Sequence, residues 1–246
     1  MLRLSPSPER TSYDWIEYFY KNAPEPVLPW SDAQRLSGAE RVAVARSIQQ
    51  FQLGENASGD RRIFKAQQFA ASRGDRGFVP ALRLFIREEQ RHSRILAQFL
   101  GLEGLGCMQR HWVHAMFRSI RGLAGAEMCL QVLATAEVIA KPYYAALRDA
   151  TGSKLLRQIC ELILREEGVH LRFQAFAISQ FRLGRKVFAQ RVVKHAHLLF
   201  LLCTAGIVWL EHSSVFRAAG RSFKQFWQET RREFQALYDA SELTGA

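Results

Sequence analysis

Arg87-Glu88-Glu89-Gln90-Arg91-His92-Ser93-Arg94 and Arg165-Glu166-Glu167-Gly168-Val169-His170-Leu171-Arg172 decide the reading of this chain. Both have the form R-E-E-x-x-H-x-R, and both sit in segments whose apolar residues recur at three- and four-residue spacing, the pattern of a packed helix rather than of a strand. Residues three apart share a helix face, one turn above the other. Glu89 with His92, and Glu167 with His170, can therefore each aim a carboxylate oxygen and an imidazole nitrogen at one point. A single Glu-x-x-His on an arginine-rich helix is often a solvated face with local ion pairs. Two copies in matching positions point to a metal centre.

Each copy follows a helical segment with a glutamate of its own, Glu55 before Glu89 and Glu137 before Glu167. Ser37-Gly38-Ala39-Glu40 reads as a capping box opening a first long helix, expected to run to about Ser72 and to end at Gly74 to Gly77. A second is expected from Phe78-Val79-Pro80 to the glycines at 101, 104 and 106, and a third from Gln109 to Asp149 with an interruption near Gly122. The fourth follows Thr151-Gly152-Ser153 and reaches about Phe181. With a rise of about 1.5 Å per residue, Glu137 to Asp149 climbs roughly 18 Å and Ser153 to Glu167 descends roughly 21 Å, so that hairpin closes on its carboxylates. In the other, about 25 Å from Glu55 to Ser72 meets only about 17 Å from Phe78 to Glu89, and the loop at 74–77 must absorb the difference. Pro142 removes a backbone donor inside the third helix and is expected to kink it one turn beyond Glu137. The fold class is all-α. Residues 1–36 form an N-terminal segment with a short helix over Thr11 to Asn22 and an extended stretch after it, residues 37–182 a four-helix bundle, and residues 183–246 two further helices on the same domain.

A lone Glu on each of two helices and Glu-x-x-His on each of the other two is the ligand set of the ferritin-like di-iron carboxylate proteins. The chain resembles that superfamily at Glu55, Glu89, His92, Glu137, Glu167 and His170, over about Ser37 to Phe181. Ala134-Thr135-Ala136-Glu137 and the following Tyr143-Tyr144 look like the third-helix ligand region of its oxidases and rubrerythrin-like members. The stretch from Leu102 to Gly125 departs from the pattern, being longer than a simple connection needs. The resemblance implies two iron ions, or manganese with iron, on these six side chains. It implies dioxygen and a small organic substrate, hydroxylated, desaturated or N-oxygenated, with electrons from a separate reductase; the chain could pair as a homodimer. Ferroxidase or iron-handling activity and rubrerythrin-like peroxide reduction are the alternatives within the superfamily. A donor set of carboxylate oxygen and imidazole nitrogen, without thiolates, suits iron or manganese better than an iron–sulfur cluster or structural zinc.

Other residues compete for the same roles. Glu127 is an alternative to Glu137, although it faces about 80° away around the helix. Glu88 and Glu166 stand about 100° from the ligands and read as surface residues or as partners of Arg91, Arg165 or neighbouring bundle residues. Tyr143 and Tyr144 read as core tyrosines, with pocket lining or a radical role as the alternative. Phe51, Gln52, Ala134 and Ala140 are candidates to line a substrate pocket. His111 and His114 share a helix face without a matching acid, and His195 and His197 point to opposite sides, so neither pair makes a second metal site.

The 246 residues carry 34 Lys and Arg against 23 Asp and Glu, a formal charge of +11, with short clusters at Arg61-Arg62 and Arg231-Arg232. This favours an acidic partner such as a nucleic acid or an anionic membrane surface, so a metal-stabilised binding module is a further reading, but no aromatic-basic signature supports it. The polar, proline-bearing start resembles no secretory leader, and a cytoplasmic location is expected. Cys107, Cys129, Cys160 and Cys203 are widely spaced, so buried reduced thiols are expected and no C-x-x-C knuckle is present. Ala196 to Leu210 is strongly apolar but short for a bilayer span of about 20 residues, and a buried helix is expected there.

Overall fold

Capping and close approach at the first turns set the frame of the molecule. A computed structural model describes residues 11–32, 35–56, 60–123 and 125–243. Among them it contains helices α1 (Ser12–Lys21), α2 (Gly38–Glu55), α3 (Asp60–Arg73), α4 (Phe78–Leu102), α5 (Trp112–Leu123), α6 (Ala126–Asp149), α7 (Lys154–Arg182), α8 (Val187–Ala218) and α9 (Phe223–Leu243), one short 3₁₀ turn and no strand. Thr11 with Asp14 and Ser37 with Glu40 form reciprocal capping boxes that open α1 and α2. Glu40 also accepts from the Gly152 amide and from Thr151, tying the start of α2 to the turn between α6 and α7. Its hydrogen bond from Ser37 leads the causes that hold its pKa at about 2.

Helices α2, α4, α6 and α7 are the four of the bundle. The expected helix from Ser37 to Ser72 is instead two helices, because α2 stops at Glu55 and α3 starts at Asp60. Gly54 stands in the last turn of α2, and a glycine costs a helix interior about 1 kcal/mol relative to alanine. The climb that the long helix would have made is thus split, and the loop at 74–77 need not absorb it. Asp75 closes that loop: its Oδ1 accepts from the Gly77 and Phe78 amides at 3.0 and 3.1 Å, and its Oδ2 accepts from the Ser12 hydroxyl at 2.6 Å. Gly74 has φ of 69°, so its backbone demands glycine, and a Cβ on Gly77 would lie 2.8 Å from that of Ser12, so the close approach of α1 demands the other. The interruption expected near Gly122 divides α5 from α6, and Pro142 lies inside α6.

The N-terminal helix does more than flank the bundle. Trp15 and Phe19 are buried against Phe85 and Phe173 of α4 and α7, with ring centroids 5.5–6.2 Å apart, so α1 is fixed across those two helices. That placement carries its C-cap, Asn22, beneath the centre of the bundle.

Helix α8 is not the buried helix expected. By length and composition it could cross a membrane, and it buries one stripe, including His197, Leu201, Ala205, Val208 and His212, while Phe188, Val192, Leu199 and Leu210 are exposed on another. Cys203 shares the exposed side; Cys107 is exposed too, so only Cys129 and Cys160 are the buried thiols expected.

Candidate metal centre

Two groups of side chains converge inside the bundle. Glu55, Glu89, His92 and Glu167 form one, and Glu89, Glu137, Glu167 and His170 the other; in each group the ligand atoms all lie within 4.8 Å of one another. The six residues singled out from the sequence are thus brought together. Glu89 and Glu167 belong to both groups, so a carboxylate from each repeat copy stands between the two positions. Glu55 with His92, and Glu137 with His170, stand at the ends. Glu127 is instead held by a two-pronged ion pair to Arg185 at 2.6 and 2.9 Å.

The donor atoms are oriented toward something other than one another. Glu89 Oε1, both Glu167 oxygens, His92 Nδ1 and His170 Nδ1 are buried and have no hydrogen bond. His170 Nδ1 lies 2.8 Å from Glu89 Oε1, and His92 Nδ1 3.6 Å from Glu167 Oε1, close without hydrogen-bond geometry. Buried polar atoms are bonded in the great majority of cases, and five orphans in one spot mark a site for cations. The oxygen and nitrogen donors fit two ions of the iron or manganese kind.

Behind the ligands, the first glutamate of each repeat copy crosses to the other helix. Glu88 Oε2 is 2.8 Å from His170 Nε2, and Glu166 Oε2 is 2.6 Å from His92 Nε2. Each carboxylate accepts the Nε2 proton, which leaves Nδ1 as the lone-pair donor turned to the centre. Both glutamates are buried, so the surface reading of Glu88 and Glu166 is replaced by this one, and the partner is Arg91. Its Nη2 lies 2.8 Å from Glu88 Oε1 and 2.7 Å from Glu166 Oε1, and its Nη1 donates to the Asn22 and Pro24 carbonyls. The Asn22 side-chain amide donates to the same two carboxylates. Arg91 has no counterpart in the other copy, whose matching position is Val169. One guanidinium serves both halves.

The carboxylates also face outward. A cavity of about 170 Å³ between α2, α5, α6 and α8 has Glu55, Glu89 and Glu137 in its wall, but neither histidine of the centre. Phe51 and Ala140 line it as expected. Gln52 does not, since it donates to Ser93 on α4 at 2.9 Å, and Ala134 is packed in the core. The overlong stretch from Leu102 to Gly125 is explained here: it folds as α5 and supplies His111, Val113, His114 and Phe117 to the wall. Tyr144 is fully buried and donates to Glu55 Oε1 at 2.8 Å. Burial, with Glu55 beside it, raises its pKa well above the usual, so the phenol keeps its proton. Tyr143 stacks on Phe51 and bonds Ser47; neither tyrosine lines the cavity.

Three solved structures share the arrangement of the chain, and all are variants of one kind of protein. They are R2-like ligand-binding oxidases: a tyrosine-to-phenylalanine variant with an anaerobically reconstituted Mn/Fe cofactor (TM-score 0.66, 13% identity), a valine-to-isoleucine variant with an aerobically reconstituted one (0.65, 12%), and a valine-to-alanine variant with an anaerobically reconstituted one (0.63, 14%). Each match covers 94% of this chain and 94% of the other. The fold is that of an R2-like ligand-binding oxidase. No protein-family model matches the chain, and no curated protein does. At such identities the R2-like oxidase fold is what is shared, and it extends to the helices outside the four-helix bundle.

The charge of the centre makes metal and proton competitors. In protein stripped of metal, burial and the neighbouring carboxylates, Glu89 and Glu137 for Glu55 and foremost Glu137 for Glu167, raise both pKa values well above 4.5. Burial works against a charge on His170, but Glu89, Glu137, Glu167 and Glu88 outweigh it and raise its pKa well above 6.5. Burial pushes Glu89 and Glu166 upward as well, but the histidines, with Arg91 for Glu166, bring each to about 2. A pKa raised on folding contributes stability that is complete below the unfolded value and lost as pH climbs through the folded one. The two lowered groups contribute above about pH 4.5 and lose it only as pH falls toward 2. Stripped protein should therefore melt at progressively lower temperature as pH rises above about 4.5, and more steeply above about 6.5 where His170 adds its share, while metal loading releases protons and removes the decline. Melting curves with and without Fe(II) or Mn(II) across pH check this; a gap that does not widen with pH would contradict it.

Proposed function

We propose that the protein is a non-haem dinuclear oxidase or oxygenase that uses dioxygen to oxidise a small, largely apolar organic molecule. The observation that carries this reading is the cavity: three candidate ligand carboxylates form part of its wall, and much of the rest is apolar. An organic molecule seated there lies against the ligand side of the centre. A pure ferroxidase has no use for an apolar chamber at that place, and rubrerythrin-like peroxide reduction with a built-in electron-transfer knuckle lacks its cysteines. The R2-like oxidases carry a Mn/Fe cofactor, which supports manganese with iron as an occupant beside iron alone. A redox-active pair, when bound, supplies the activation of dioxygen.

The chain's own residues do the rest in this reading. Glu89 and Glu167, which belong to both ligand groups, would help hold either ion, and Glu55 and Glu137 would each help hold one. Tyr144 steadies Glu55 by donating to it. Glu88, Glu166, Arg91 and Asn22 hold both imidazoles with Nδ1 inward. The apolar wall excludes water from the substrate. Electrons come from a separate donor, and an acidic donor finds its complement in a groove of about 680 Å³ between α8 and α9, whose wall includes Arg182, Arg191, Lys194, Arg231 and Arg232 against Glu242. Anaerobic loading with Fe(II) followed by oxygen should consume dioxygen and produce ferric absorption. Metal uptake with no reaction toward oxygen would reject the oxidase class.

A further inference from the structure

The cavity has a polar end that the metal centre does not use, and its chemistry selects a substrate. Gln50, His111, His114 and His212 share the wall with the carboxylates. Along α2, Gln50 precedes Glu55 by five residues and Ser47, the partner of His212, precedes it by eight, placing them about 7 and 12 Å up the helix axis from that ligand.

The hydrogen-bonding character of this end can be worked out atom by atom. Gln50 is buried; its Nε2 donates to Glu211 Oε2 at 3.4 Å and its Oε1 has no partner. Glu211 fixes that orientation, since the flipped amide would set oxygen against carboxylate. Glu211 Oε1 accepts from Trp112 Nε1 at 3.1 Å, and Oε2 lies 3.6 Å from His111 Nε2, a buried atom with no hydrogen bond. On the other side, Tyr143, Ser47 and His212 form a chain with links of 2.8 and 2.7 Å. Tyr143 is buried and Ser47 is the partner its hydroxyl has, so the phenol donates to Ser47, Ser47 donates to His212 Nδ1, and the neutral ring carries its proton on Nε2. Burial, followed by the nearby His111, lowers the pKa of His212 to about 3, so this ring stays neutral. Gln50 thus offers an acceptor, His212 a donor, and His111 a nitrogen that can act either way. A carboxylate head would leave Gln50 Oε1 unpaired beside Glu211, and an ammonium head would leave the His212 N–H unpaired.

We propose that the substrate, on the oxidase reading above, is an apolar molecule with an uncharged head that both donates and accepts, a hydroxyl or primary amide, held by Gln50, His212 and His111 with its apolar end toward the carboxylates. The probes are 1-octanol, octanamide, octanoate and octylamine, titrated by calorimetry into the full chain loaded with redox-inert Zn(II). Gln50→Leu should weaken octanol and octanamide by about tenfold, the scale of one buried hydrogen bond, and leave octanoate within about twofold. Gln50→Glu, a second variant should the leucine protein not fold, should weaken the two neutral probes and strengthen octylamine. Equal losses for all four probes, or the largest loss for octanoate, would overturn the proposal. Turnover of the iron-loaded enzyme separates this from the oxidase reading. Oxidation of octanamide far from its head supports both, oxidation beside the head overturns the orientation alone, and discriminating binding with no oxygen consumption overturns the oxidase alone.

Discussion

Glu167→Gln should cost the protein its metals and make the stripped chain more stable. Glu167 stands in both ligand groups, is fully buried, and has no hydrogen bond on either oxygen. An uncharged amide of the same size cannot replace an anionic ligand, and because Glu167 belongs to both groups, each would lose a ligand. Residues that merely orient ligands cost about 10–100-fold in metal affinity when replaced, and a shared ligand should cost more than that. Glu137→Gln, at one end only, should spare the position served by Glu55 and His92. The same amide removes a carboxylate whose protonation folding enforces, through burial and the neighbouring Glu137. Removing an uncompensated buried polar burden is worth about 1–3 kcal/mol, and for a chain of this length each kcal/mol moves the melting temperature by about 2–4 °C. Stripped Glu167→Gln protein should accordingly melt several degrees above stripped wild type at pH 8. Metal content by elemental analysis and melting curves of the stripped proteins check both halves. Loss of metal with loss of stability would mean that Glu167 is an ordinary structural carboxylate.

The six candidate ligands were legible because the repeat is a local pattern: a helix turns Glu89 and His92, or Glu167 and His170, to one side whatever surrounds them. The break after Glu55 was half legible. Gly54 stands just before it, but apolar periodicity continues beyond and a long helix accommodates a glycine at modest cost. The crossed pairing of Glu88 with His170 and Glu166 with His92 was not legible, since the angle around one helix says nothing of what the next helix presents. The doubled glutamate in both copies was the available signal, as was Arg91 opposite Val169. Asn22 could not have been found at all: nothing near it in sequence marks a helix C-cap as the residue that reaches two carboxylates from helices it meets only in the folded state. The size of Leu102 to Gly125 pointed to extra structure, and only packing shows that α5 walls the cavity. Helix α8 misled in the opposite sense, because strong apolarity without a chosen face reads as full burial.

Arg91→Met is the substitution expected to do most damage outside the ligands themselves. Arg91 is 4% exposed and its Nη2 lies within 2.8 Å of both Glu88 and Glu166. Without it the two carboxylates remain buried, bonded to the two imidazoles and an asparagine amide, with no guanidinium between them. Breaking a buried ion pair from one side costs about 3–5 kcal/mol, which at about 2–4 °C per kcal/mol is a fall of roughly 6–20 °C in melting temperature. Arg91→Lys should recover part of this, because an ammonium can neutralise the pair but cannot also hold the Asn22 and Pro24 carbonyls with a second nitrogen in a fixed fork. Both histidines depend on the same guanidinium, so affinity should fall at the two metal positions together, by about 10–100-fold. The deciding variant combines Arg91→Met with Glu88→Gln and Glu166→Gln. Each glutamine can still accept the Nε2 proton of its histidine through the amide oxygen, and no buried charge is left uncompensated. The triple variant should regain most of the lost melting temperature and much of the metal affinity. Recovery of neither would show that Arg91 acts by filling space between α1, α4 and α7 rather than by balancing the two carboxylates.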